Sequence, residues 1–104
     1  MYKPLPDGVT IRESDIEGLG LFAEKFIPKG TYLGIIHIPD NSGTGEYIRT
    51  PLGGFGNHSD TPNCDKSTTD DYKGNWSIST NRDIQPDEEI TWTYTFYEIE
   101  YTHK

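Results

Sequence analysis

Phe55-Gly56-Asn57-His58-Ser59-Asp60-Thr61-Pro62-Asn63 is the stretch whose reading decides the fold, because it crowds amides, an imidazole, hydroxyls and a rigid proline beside an aromatic ring. The Asn57 side chain can donate and accept hydrogen bonds at once. Asn, Ser, Asp and Pro are also common turn formers, and side-chain to backbone bonds account for such a cluster without any ligand. Composition alone leaves both readings open. His58 could join Cys64, His37 or His103 around a metal, but these spacings match no familiar zinc pattern and no metal site is expected.

Working outward, the residues on either side alternate between short strand patterns and turn formers. Val9-Thr10-Ile11-Arg12 reads as a strand after the Asp7-Gly8 turn, Gly18-Leu19-Gly20 interrupts, and Leu21-Phe22-Ala23 resumes an apolar run. Ile27-Pro28-Lys29-Gly30 turns the chain into a β-branched strand over residues 31–38, and a short strand follows near Glu46-Tyr47-Ile48. Residues 51–64 suit an irregular segment better than a helix or strand, and residues 65–74 read as an acidic exposed loop. Trp76-Ser77-Ile78-Ser79-Thr80 is a strand, Ile84-Gln85-Pro86-Asp87-Glu88 a turn, and residues 90–96 a final strand. The sequence shows no internal repeat and at most a short helical turn. The expected fold class is mainly β, with small sheets and many loops.

Length and charge narrow the function. A chain of 104 residues has room for one domain, with a core over residues 9–97 and a tail over 98–104. Seventeen acidic against nine basic side chains give a formal charge of −8, which repels nucleic acid and would attract a lysine-rich partner. One cysteine excludes an internal disulfide and fits a reducing compartment. With no secretory pattern or membrane-length apolar run, the expected location is the cytoplasm, and the two N-x-S matches at Asn57 and Asn75 are coincidental.

Two further elements can carry chemistry. Gly18-x-Gly20 lacks the third glycine and strand–helix context of a dinucleotide site, so it is either a bend or a place where bare backbone approaches a cofactor. In Asp87-Glu88-Glu89-Ile90-Thr91-Trp92-Thr93-Tyr94, strand alternation puts Ile90, Trp92 and Tyr94 on one face, where they either pack a core or line a pocket. Aromatic faces there could hold a cationic methyl donor.

Taken together and in this order, the three elements resemble the SET domain family of protein lysine methyltransferases, over roughly residues 9–97. Glu17-Gly18-Leu19-Gly20-Leu21-Phe22-Ala23 is similar to the family's opening glycine motif. Phe55, Asn57, His58, Ser59, Pro62 and Asn63 match its R-F-I-N-H-S-C-x-P-N signature, and Glu88-Glu89-Ile90-Thr91-Trp92-Thr93-Tyr94 its closing G-E-E-L-T-Y-D-Y motif. The resemblance implies small curved β-sheets with a pseudoknot-like crossing of the Asn-His-Ser segment and the closing strand. The compact plan is similar to that of small viral members, which points to a phage or viral source.

The resemblance also implies S-adenosylmethionine as cofactor, bound by Gly18, Leu19, Gly20, Asn57, His58, Tyr94 and Tyr97, with Tyr94 as the catalytic tyrosine. Tyr32, Trp92 and Phe96 would line the substrate channel, and the partner would be a basic, lysine-bearing protein. Gly54 and Gly56 replace an arginine and a bulky apolar residue of the signature, Asp60 replaces its cysteine, and Thr93 an acidic residue. The segment between Ile38 and Phe55 is shorter than the family's groove-building insert, and a homodimer is one way to complete the groove. With no cysteine-rich tail, Phe96, Tyr97 and Tyr101 would cover the cofactor. The alternative is a non-catalytic module that keeps the fold and the cofactor pocket.

Overall fold

The computed structural model describes residues 4–39, 47–68 and 74–93. Within them the chain forms β1 (Val9–Glu13), β2 (Leu19–Ala23), β3 (Tyr32–Pro39), β4 (Tyr47–Arg49), α1 (Pro51–Phe55), β5 (Asn57–His58), β6 (Cys64–Thr68), β7 (Trp76–Thr80) and β8 (Glu89–Trp92). They assemble into two four-stranded sheets, ordered β1-β2-β8-β5 and β4-β3-β7-β6. The mainly-β architecture of small sheets is the expected one. No helix among the described residues is long and apolar enough to cross a membrane.

The closing strand β8 is the centre of the first sheet. It pairs antiparallel with β2 and parallel with β5, so Asn57 lies opposite Thr91 and His58 opposite Trp92. Enclosed on both edges, it buries Ile90, Thr91 and Trp92. Their β-branched and aromatic side chains suit such a strand. The core continues through Leu21, Ile36, Ile78 and Ile84, all fully buried.

A local two-fold relation joins the sheets, although the sequence showed no repeat. Ile27 and Ile84 exchange N–H···O bonds of 2.9 and 2.8 Å. On one side the Asp87 N–H donates to the Ala23 carbonyl and the Ala23 N–H to that of Glu88; on the other, Gly30 donates to Thr80 and Thr80 to Thr31. The turn positions related this way, Gly30 and Asp87, both have positive φ, at 85° and 70°. Backbone geometry repeats over residues 23–31 and 80–88 while only the central Ile27 and Ile84 are the same residue, which hides the relation from sequence periodicity.

Three local expectations need correction. Residues 51–64, read as irregular, contain α1 and β5. The helix forms because the Thr50 hydroxyl caps it by accepting from the Gly53 N–H at 3.1 Å and Pro51 opens its first turn. Gly53 also lets the helix rest on the Ile36 backbone, where a Cβ would collide with the Ile36 carbonyl. Residues 65–74, read as a loop, begin with most of β6, which pairs with β7 from Cys64 opposite Thr80 to Thr68 opposite Trp76. Its polar composition is that of an edge strand, recruited by its neighbour rather than by its own propensity. The strand after the glycine motif starts at Leu19, inside the expected interruption.

Gly56 explains one departure from the signature. A Cβ there would overlap the six-membered ring of Trp92, so the indole occupies the volume that a bulky residue at position 56 would need. Gly56→Ala should therefore destabilise the protein by about 2 kcal/mol. Adding Trp92→Phe should recover part of that loss, a coupling measurable by urea denaturation of the two single variants and the pair. Additive losses would show that these residues do not share one space.

Candidate active site

The three sequence elements meet at the Asn57 side chain, which is buried. Its amide nitrogen lies 3.1 Å from the Glu17 carbonyl and 3.2 Å from the Leu19 carbonyl, one on each side of Gly18. It also lies 2.8 Å from Glu89 Oε2 and 3.1 Å from Ser14 Oγ. Two protons shared among four acceptors make a three-centred arrangement, and every acceptor belongs to a segment far from Asn57 in sequence. Gly18, with φ of 43°, bends the chain so that both carbonyls point at one amide. Gly20 closes the approach, because a Cβ there would strike Glu89 and lie 3.0 Å from Asn57 Nδ2.

The segment beyond Asn57 is stitched to the closing strand. The Ser59 N–H donates to the Trp92 carbonyl at 3.2 Å, and the Thr93 hydroxyl donates to the Ser59 carbonyl at 2.8 Å. Asn63 then returns to β8, donating to the Glu89 carbonyl at 2.7 Å and accepting from the Thr91 N–H at 2.9 Å. Its amide thus serves as a strand edge inside the core, satisfying backbone groups that would otherwise be buried unpaired. Asp60, in the signature's cysteine position, lies 3.0 Å from the His58 Nε2 and orients that ring.

Gly18, Leu19, Gly20 and Asn57 are therefore brought together, while His58 follows Asn57 on β5 opposite Trp92. Tyr32 begins a strand of the other sheet and lines a cleft of about 500 Å³ with Pro6, Lys25, Phe26 and Pro28. Trp92 neighbours His58 in register but is a core residue against Gly56. Tyr94, Phe96, Tyr97 and Tyr101 lie outside the described residues. Sequence reasoning passed over Ser14 and Glu89, whose partners lie 75 residues apart. Glu89 carried one local signal, a carboxylate opening a strand whose other residues, Ile90, Thr91 and Trp92, are buried.

The surroundings constrain the chemistry. Burial pushes the Cys64 thiol up to about 12, so it stays protonated at neutral pH and supplies no thiolate nucleophile. Burial also pushes on Glu88, but the Gln85 N–H, Arg82 and Asn63 outweigh it and hold that carboxyl below its usual range. Among the described residues no three His, Cys, Asp or Glu are placed to hold a metal. Gly18 has open space where a Cβ would point, and the exposed apolar side chains of Ile16 and Leu19 flank it.

A family model of the SET domain matches residues 39–95, more than half of the chain, and the chain belongs to that family. The match starts downstream of the glycine motif, which the Asn57 contacts tie to the matched region. A proposed histone methyltransferase of Plasmodium falciparum has a similar structure, with a TM-score of 0.66 and 23% sequence identity over 84% of this chain and 92% of that one. That likeness shows the fold. Comparison with curated proteins returns no match.

His37 supplies a pH test of the packing around β3. It is buried, and burial first, then the positive charges of Arg49 and Lys66, lowers its pKa from 6.5 to about 4. The unfolded chain therefore binds more protons than the folded one between those values. The contribution from neutral His37 is complete above the unfolded value and is lost as pH falls toward the folded one, by about 3 kcal/mol in all. Urea denaturation near neutrality and at about pH 4.5 should show a smaller acid loss for His37→Gln than for the parent. Equal losses would place the histidine's titration elsewhere.

Proposed function

We propose that the protein is a protein-lysine N-methyltransferase that uses S-adenosylmethionine to methylate a basic protein. The observation that carries this reading is the convergence of the glycine turn, the Asn-His-Ser segment and the closing strand on the Asn57 amide. Family membership supports the reaction class. The donor fits the residues present: Gly18 leaves backbone open, Ile16 and Leu19 offer apolar surface to an adenosyl group, and the Asn57 contacts keep the turn rigid. Gly18, Leu19, Gly20 and His58 would hold it, with Asn57 fixing their backbone, and Tyr97 would cover it.

Bound there, S-adenosylmethionine supplies an electrophilic methyl group. The chain's own task is positioning, since transfer to an amine needs in-line approach and no covalent enzyme intermediate. A lysine amine is ordinarily protonated and must lose that proton before it can attack, which a desolvated aromatic channel favours. Tyr94 orients the amine through its hydroxyl. Exposed Glu13, Asp15 and Glu17 give the turn negative charge and favour a basic substrate.

Incubation with labelled donor and a panel of basic proteins should transfer label to lysine. Tyr94→Phe should lower the rate by about 100-fold while leaving donor affinity within a few-fold. Donor binding without transfer to any substrate would make the chain a binding module instead. Absence of donor binding to the folded protein would overturn the reading.

A further inference from the structure

Resting on that reading, we propose that Ser14, acting with Glu89 through the Asn57 amide, is a positioning residue that sets the affinity for the methyl donor. Neither side chain needs to touch the donor to do so. The Ser14 hydroxyl uses its full bonding capacity: its proton is shared between the Glu89 oxygens at 2.7 and 2.8 Å, and its lone pairs face the Ile16 N–H at 2.9 Å and Asn57 Nδ2 at 3.1 Å. One atom thus ties the start of the β1–β2 connection to the closing strand and to the Asn-His-Ser segment.

The consequence falls on the glycine turn. The connection runs from Ser14, whose N–H donates to the Gly18 carbonyl at 2.8 Å, through Ile16 and Glu17 to Gly18. Ser14 fixes its beginning, and Asn57 grips the carbonyls on both sides of Gly18. Glu89 in turn holds both Ser14 and Asn57, and Gly20 rests against the pair. Without the hydroxyl, Asn57 keeps Glu89 and the two carbonyls, but the Ile16 N–H loses its acceptor and the connection its tie to Glu89, and a turn ordered in advance becomes one that donor binding must finish ordering. Such ordering weakens affinity without altering transfer once the donor is bound.

The test compares the parent, Ser14→Ala and Ser14→Thr by calorimetry with S-adenosylmethionine and by steady-state methyl transfer. Ser14→Ala should raise the donor Kd and KM by ~10-fold, keep kcat at saturating donor within ~3-fold, and speed hydrogen exchange at the Ile16 amide. Ser14→Thr, which keeps the hydroxyl, should restore the Kd to within ~3-fold of the parent. If Ser14→Ala fails to fold, Glu89→Gln, which keeps the shape and removes one acceptor, should give the same split between KM and kcat. Unchanged donor affinity in a folded Ser14→Ala overturns the inference, as does an equal loss in the alanine and threonine variants. Absence of donor binding by the parent overturns the proposed function instead.

Discussion

The Asn57 amide is the constraint on which the rest of the structure depends. A buried side-chain NH₂ left without acceptors would cost about 1–3 kcal/mol, and the acceptors it finds come from the β1–β2 connection and from β8. Satisfying it therefore forces three distant segments into one place. Asn63 repeats the device one turn later, substituting its amide for a missing strand along β8. The parallel pairing of β5 with β8, only two residues long, is held by these side chains as much as by its own ladder.

Around that crossing, size matters as much as polarity. Gly20 and Gly53 permit approaches that a Cβ would block, and Gly56 hands its space to the Trp92 indole. Position 56 departs from the signature and yet fits this core, because the same volume is filled from the opposite strand. Asp60 likewise exchanges a thiol for a carboxylate that orients His58 on the exposed side. The local two-fold about Ile27 and Ile84 locks the two sheets together at their other end, using backbone bonds that depend little on side-chain identity.

The division between rigid core and acidic rim has a functional sense. His37 and Cys64 are held neutral by burial, while Glu13, Asp15 and Glu17 stay exposed beside the glycine turn. The methyl donor and the basic substrate proposed above would both meet a negative field there. The aromatic and proline-lined cleft at Tyr32 lies between the start of β1, the end of β2 and the start of β3.

The amino-acid sequence determined the class of fold and the identity of the segments that matter. Trp76–Thr80 announced itself by local propensity, and the Asn-His-Ser signature and closing motif marked β5 and β8. Tertiary structure alone decided that polar residues 65–68 extend a strand, that the short helix rests on the Ile36 backbone at Gly53, and that Tyr32 begins a strand of the other sheet. It also decided that Ser14 and Glu89 share one amide. The physical reason is that propensity and alternation report on neighbours along the chain, whereas edge pairing, close approach at glycine and the satisfaction of a buried amide depend on groups that become neighbours only after folding.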